Sequence, residues 1–168
     1  MGKVKVLIKN NQDVCKIPSG VRFLIKRSCR AVLQIENFRD DAEISVFFID
    51  NRQMRDLNFK YRQKDTATDV LSFPTYDGKN YTYSGDGVAI LGDIVISFEK
   101  AVEQARENSH SLQRELAYLA VHSMLHLLNY NHENGGLEEV RMREKEEMIL
   151  SQIGLNRSVT YATFNHED

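Results

Sequence analysis

Ser111-Leu-Gln-Arg-Glu-Leu-Ala-Tyr-Leu-Ala-Val-His122-Ser-Met-Leu-His126-Leu-Leu-Asn-Tyr-Asn-His132 is the stretch around which the rest of the chain is organised. Its periodicity predicts a helix from Ser111 to about Leu128. At about 100° per residue, Leu112, Leu116, Leu119, Ala120 and Leu127 share one broad side, with Val121 and Leu125 on the far flank. A helix that is apolar nearly all round belongs in the middle of a domain. His122 and His126 share a semi-enclosed strip with Glu115 and Tyr118. Residues i and i+4 lie one above the other on a helix, so the two imidazoles can address one point. His132 follows beyond the helix end, where a returning chain can close the triangle. Three neutral imidazole nitrogens around one cation, with a fourth position open, is the plan of a catalytic zinc site.

A lone histidine in such a place is ordinarily a hydrogen-bonded structural residue. Here three of the chain's five histidines fall within eleven residues. The spacing His-x3-His-x5-His is that of long zinc-peptidase signatures, in which a turn after the helix swings the third ligand back. Such a turn favours glycine, because it needs a positive φ; Asn129 is the non-glycine residue that tolerates it best. The peptidase signature also places a Glu directly after the first His as general base. Ser123 occupies that position and is a poor base at neutral pH, so the peptidase mechanism does not transfer. Zinc held by three histidines would still lower the pKa of a bound water to about 7 and polarise a phosphoryl oxygen.

Bulk properties set the frame. A chain of 168 residues fits one domain with a sizeable core. Its 22 Lys and Arg against 24 Asp and Glu do not advertise a nucleic-acid binder, although a local basic patch depends on distribution rather than total. Cys15 and Cys29 have neither metal-ligand nor disulfide-framework spacing and read as reduced, partly buried thiols. No stretch approaches the roughly 20 apolar residues of a membrane span, and the first residues lack a signal-peptide core, so the cytoplasm is expected.

Along the chain, residues 3–9 alternate as a half-exposed strand, and residues 21–35 form an amphipathic helix with Ser19 as its N-cap. Arg22, Lys26, Arg27 and Arg30 make its outer charge, read as a solvated face. Residues 42–49 are the clearest strand, central in the sheet. Asp50 or Asn51 caps a short helix to about Lys60, with Met54, Leu57 and Phe59 facing inward. Residues 61–68 read as irregular, 70–73 as a short apolar stretch stopped by Pro74, and 75–87 as a long surface loop. Residues 88–97 return to strand composition. Gly92 marks a bulge or a close backbone approach there, and Asp93 either points to solvent or makes a structural hydrogen bond. Helices follow over 98–107, 111–128 and 137–153, the last highly charged and outermost. Residues 1–155 read as a single domain, with 156–168 as a partly disordered tail.

The middle of the chain then joins the histidines. Tyr61-Arg-Gln-Lys64-Asp-Thr-Ala-Thr-Asp69-Val-Leu-Ser-Phe-Pro74 closely resembles the signature of the YbeY family, bacterial metal-dependent endoribonucleases of rRNA maturation. Leu91-Gly92-Asp93-Ile94-Val95-Ile96-Ser97 resembles that family's second block, and His122 to His132 its third, usually written His-Gly-x-Leu-His-Leu-x-Gly-Tyr-Asp-His. Order, spacing and chain length agree. The sequence departs from the pattern at Ala67 (usually Pro), at Ser123 and Asn129 (usually Gly) and at Asn131 (usually Asp).

The resemblance implies an α+β domain in which a small mixed β-sheet packs against helices, with a central metal-bearing helix. One Zn²⁺ per chain would be held by His122, His126 and His132. It carries over Arg62 as the catalytic residue, and Lys64 beside it as a substrate-binding cation; Lys60, Arg55 and Arg52 extend a phosphate track. Asp69 reads as turn chemistry, and for it and Asp93 alike the functional alternative is support of the metal ligands or orientation of Arg62. The implied activity is single-strand-specific, zinc-dependent cleavage of rRNA precursors, toward the 3′ end of 16S rRNA and in ribosome quality control. Implied partners are rRNA and the small ribosomal subunit, with ribosomal-protein or assembly-GTPase contacts and no membrane. Two rivals stay open: a metallopeptidase-like hydrolase, and a ribosome-assembly factor whose zinc is structural.

Overall fold

Two parallel strands and the helix between them start the fold: β1 (Val4–Asn10), α1 (Val21–Ile35) and β2 (Ala42–Ile49). The structure, a computed structural model, describes residues 1–66, 68–130 and 136–155. After β2 come α2 (Asn51–Arg62), β3 (Val70–Pro74), β4 (Thr82–Tyr83) and β5 (Ala89–Ser97), then α3 (Phe98–Glu107), α4 (Leu112–Leu127) and α5 (Gly136–Gln152). Strand order is β1-β2-β5-β3, with β4 pairing the start of β5. The β1, β2 and β5 strands are parallel and β3 runs antiparallel to β5, so the sheet is mixed, as expected for the α+β class.

Alternation along β2 sorts the two faces. Ile44, Val46 and Phe48 enter the main core with α1 and α4, whereas Phe47 and Ile49 pack with Met54 and Leu57 of α2 on the other side. Phe48 meets Phe98 edge to face at 5.3 Å, joining the sheet to the start of α3. Burying one such ring contributes about 2–3 kcal/mol before entropy is counted. The strongly apolar α4 has Leu116, Ala117, Leu119, Ala120, Val121, Met124, Leu125 and Leu127 all buried, which makes it the central helix.

Local chemistry sets most of the helix ends. Asp50 caps α2 through a capping box with Gln53, an arrangement that contributes about 1 kcal/mol. Ser97 and Ser111 cap α3 and α4 by accepting from the backbone N–H of Lys100 and Arg114. The expected Ser19 cap of α1 is not formed: Gly20 occupies the cap position at φ 90° and no side chain caps the helix. Two further expectations change at α2. The helix runs on to Arg62, and Phe59 is 60% exposed while Asn58 turns inward and donates to the carbonyl of Thr66 at 2.9 Å. A polar side chain with a backbone partner displaces the larger apolar one from the inner stripe. The loop over 75–87 contains the two-residue β4, held because its edge can pair with β5.

Gly92 shows both features expected of it. The register between β2 and β5 slips between Glu43 and Ile44, leaving Leu91 as the extra residue of a bulge. With φ +138°, a Cβ at Gly92 would collide with the carbonyl oxygen of Phe73 and lie 3.1 Å from Leu127 Cδ2. The end of β3, the middle of β5 and the C-terminal turn of α4 therefore meet here because no side chain intervenes. Asp93, expected either to point to solvent or to make a structural hydrogen bond, is exposed, and its side chain makes no hydrogen bond among the described residues. It stands opposite Phe73, on the α2 face of the sheet, where partial desolvation raises its pKa. Cys29 is fully buried, its thiol pushed up to about 12 by desolvation, and Cys15 is half-buried; both are free.

Candidate active site

Two side chains of α4 define the site. Nε2 of His122 and Nε2 of His126 point at one another, 3.1 Å apart. Both Nδ1 atoms are engaged elsewhere: His126 Nδ1 lies 2.9 Å from the carbonyl oxygen of Tyr130, and His122 Nδ1 lies 3.3 Å from Glu146 Oε2 on α5. A carbonyl can only accept, and an ionised carboxylate likewise, so in each ring the Nδ1 carries the proton and the Nε2 the lone pair. Two lone pairs aimed at each other repel, and a shared cation relieves that. Nitrogens about 2.0–2.1 Å from one ion at the tetrahedral angle are separated by about 3.3 Å. The pair therefore fits a metal ion, with the carbonyl and carboxylate fixing both tautomers from behind. His132, the third expected ligand, lies outside the described residues, as do Ala67, Asn131 and His166.

The turn after α4 is built without glycine. Asn129 takes the left-handed conformation at φ 75°. Tyr130 N–H then bonds the carbonyl of Leu125 at 2.9 Å and Asn129 N–H that of His126 at 3.0 Å, the two bonds of a Schellman cap. The cap aims the Tyr130 carbonyl back at His126. The Tyr130 ring is held in turn by Lys145, which stands 5.8 Å above it and pairs with Glu36 at 2.7 Å. Beside His122, Tyr118 stacks at 5.6 Å and hydrogen-bonds Glu146. Burial, followed by the carboxylates of Glu146, Asp69 and Glu115, pushes its phenol well up, so it stays protonated and donates.

In front of the histidines lies a cleft of about 570 Å³, lined by Arg62, Lys64, Asp69, Ser72, His122 and His126 among others. Arg62 reaches it from the last turn of α2, with Nη2 3.4 Å from the carbonyl of Ser72. The helix ends there because Gln63 turns left-handed at φ 58°, which sends Lys64 along the same rim. Arg55 grips Asp65 with two bonds of 2.7 and 3.0 Å, tying the following loop back onto α2. Lys60 stands 5.2 Å from the Tyr61 ring, and neither it nor Arg55 or Arg52 lines the cleft; of the expected phosphate track, Arg62 and Lys64 are the members that do.

Behind the cleft the acids are tied together. Asp69 accepts from Val70 N–H through Oδ1 and from Gln104 Nε2 through Oδ2, the first being the expected turn chemistry. The same Gln104 nitrogen donates to Glu115, whose carboxyl is raised above its ordinary pKa by burial. Sequence reasoning missed Glu146, Gln104 and the Tyr130 carbonyl. Glu146 had a legible signal: it falls on the stripe Met142, Ile149, Leu150 that α5 buries, where a charge needs a partner. The other two had none, since a neutral amide and a backbone oxygen leave no mark in a pattern.

Fold and site together define a mixed-sheet α+β protein whose central helix sets two convergent imidazoles at the floor of a cleft rimmed by cations. The family model described as Endoribonuclease YbeY matches residues 7–154. A protein named Endoribonuclease YbeY from Caldanaerobacter subterraneus subsp. tengcongensis is 47% identical, over 92% of this chain and all of its own. Another of that name, from Caldicellulosiruptor saccharolyticus, is 45% identical over the same shares. The solution structure of TM1509 from Thermotoga maritima shares the fold at TM-score 0.56 and 22% identity, covering 91% of this chain and 94% of that one. This chain belongs to the YbeY family.

Proposed function

We propose that the protein is a zinc-dependent endoribonuclease that cuts single-stranded regions of rRNA precursors, toward the 3′ end of 16S rRNA, and serves ribosome quality control on the small subunit in the cytoplasm. The observation that carries this reading is the 3.1 Å convergence of His122 and His126 in a cleft that also holds Arg62 and Lys64. Family membership supports the RNA substrate, and relatives named as endoribonucleases support its internal cleavage. Residues 1–155 would act as the one domain, with 156–168 as a tail.

His122 and His126, with His132 as the third ligand, would hold the metal. When bound, zinc supplies Lewis acidity, polarising a phosphoryl oxygen and making a nearby water easier to deprotonate. Arg62 grips the scissile phosphate through its fork and offsets charge that grows in the transition state. Lys64, next along the rim, holds a neighbouring phosphate as a point charge. Glu146 and the Tyr130 carbonyl keep both imidazoles in the ligand tautomer.

The metallopeptidase alternative loses ground on Ser123. Its Oγ is fully buried and, among the described residues, without a hydrogen-bond partner, so it is not a base for water in the cleft. Zinc-loaded wild type, Arg62→Ala and His126→Ala should be compared on single-stranded rRNA and on casein. Wild type should cleave only RNA. Arg62→Ala should keep its metal and lose about 10²–10³-fold in rate, and His126→Ala should lose both metal and activity. Casein cleavage without RNA cleavage would sink the proposal, and RNA binding with no metal-dependent cleavage would favour the assembly factor.

A further inference from the structure

The outer face of α1 has no role in the cleft. Arg22, Lys26, Arg30, Phe23, Gln34 and Arg27 follow one another, in that order, around an arc of about 140°, and all six are exposed. Phe23, at 72% exposure, is the most exposed large hydrophobic of the described residues and sits in the middle of the cations. None of the chain's 24 acidic residues lies in α1. Lys26 and Arg30 repel at i,i+4, and Arg27 and Arg30 at i,i+3. Arg22 stands in the first turn, where the helix dipole disfavours a cation. Among the described residues none of these four cations is in an ion pair. Local energetics thus oppose this arrangement, in a chain whose net charge is −2. A groove of about 370 Å³ runs along the face, floored by Ala31 and by Ile153 at the end of α5. α1 packs beside β1, and α4 against β3, so face and cleft stand at opposite edges of the helical layer.

We propose that the exposed Phe23–Lys26–Arg27–Arg30 face of α1 is a second RNA-binding surface, on which a base stacks on Phe23 while the cations hold the phosphates on either side. The assignment rests on reading the chain as an RNA-cutting enzyme. Charge complementarity requires an anionic partner, and an aromatic ring among guanidinium groups suits a nucleobase flanked by phosphates. A lipid surface fits poorly, since the apolar side of α1 is buried in the core and Phe23 alone is offered. This face would anchor a long substrate away from the bond being cut.

The test separates binding from cleavage. Fluorescence anisotropy would follow an unstructured 2′-O-methyl RNA of about 30 nucleotides, its integrity verified on a gel, with wild type, Lys26→Gln/Arg27→Gln/Arg30→Gln and Phe23→Ala. The triple variant should bind about 10-fold more weakly, and its log–log salt slope should fall by about 2, at roughly 0.7 for each phosphate no longer neutralised. Phe23→Ala should weaken binding about 5- to 10-fold with the slope unchanged. Cleavage of an oligonucleotide of about six nucleotides, too short to span both surfaces, should be the same in all three. If the triple variant matches wild type in affinity and slope, the proposal is overturned, including where the face instead captures poly-glutamate. If wild type cleaves no RNA yet the triple variant loses binding, the proposed activity fails and this surface stands.

Discussion

Glu146 of α5 stands 3.3 Å from Nδ1 of His122, and it does so from a helix whose exposed side is crowded with charge. Glu146 is 4% exposed, so its contacts with His122 and Tyr118 replace water. Glu146→Gln keeps the shape and removes the charge that favours the ligand tautomer. Zinc affinity, read by chelator competition, should fall about 10- to 100-fold while the far-ultraviolet circular dichroism is unchanged. An unaltered affinity would show that the carboxylate does not tune His122.

Gly92→Ala should be among the most damaging single-methyl additions to this chain. The new Cβ collides with the Phe73 carbonyl and crowds Leu127, at a φ of +138° that side chains avoid. A loss of about 2–4 kcal/mol is expected in urea unfolding. Gly78, also at positive φ (+101°) but with nothing within 4 Å, is the control; Gly78→Ala should cost about 1 kcal/mol. Equal effects at the two sites would mean that backbone conformation, not the close approach, accounts for the loss.

Ser123 and Asn129 stand where the family pattern has glycine, and they should respond in opposite ways. The buried Ser123 hydroxyl has no partner among the described residues, so Ser123→Ala should stabilise by about 1 kcal/mol. Asn129 already meets the positive-φ demand of its cap. Asn129→Gly should therefore stay within about 0.5 kcal/mol of wild type, and Asn129→Val should cost about 1–2 kcal/mol. Thermal melts of the three variants decide this; destabilisation by Ser123→Ala would point to a partner for the hydroxyl.

Glu115 should make stability fall as pH rises. Burial raises its carboxyl above the ordinary value of 4.5, with the Gln104 hydrogen bond opposing. Between the ordinary and raised values the native state binds more protons than the unfolded chain, so stability drops across that window and the penalty is complete above it. Glu115→Gln keeps an acceptor for Gln104 and cannot ionise. Its stability relative to wild type should be lowest near pH 4 and grow toward pH 7, in urea midpoints taken at both. A gap that does not widen refutes the assignment.

What the chain declared in advance was whatever repeats along an element. The period of α4 and the spacing of its histidines placed the central helix and the convergent pair, and the apolar run 42–49 marked an interior strand. The motif around Arg62 and Lys64 put both beside the histidines. Interactions made once, across the fold, were not legible. Gln104 bridges Asp69 and Glu115 from 35 and 11 residues away, and Arg55 pairs with Asp65 without lining the cleft. Phe59 yielded the inner face of α2 to Asn58 because a loop carbonyl, invisible in any periodicity, was waiting for an amide.

The hold on His126 comes from main chain rather than from a side chain. An alanine at position 130 would delete a ring and leave the oxygen facing Nδ1 in place, so a side-chain scan would score this hydrogen bond as dispensable. The orientation of the His126 imidazole is thereby insulated from most point substitutions at that position. It is vulnerable instead to proline, which would remove the Tyr130 N–H that bonds Leu125 and with it the turn that aims the carbonyl. One imidazole of the pair thus depends on backbone path, and the other on a single replaceable carboxylate.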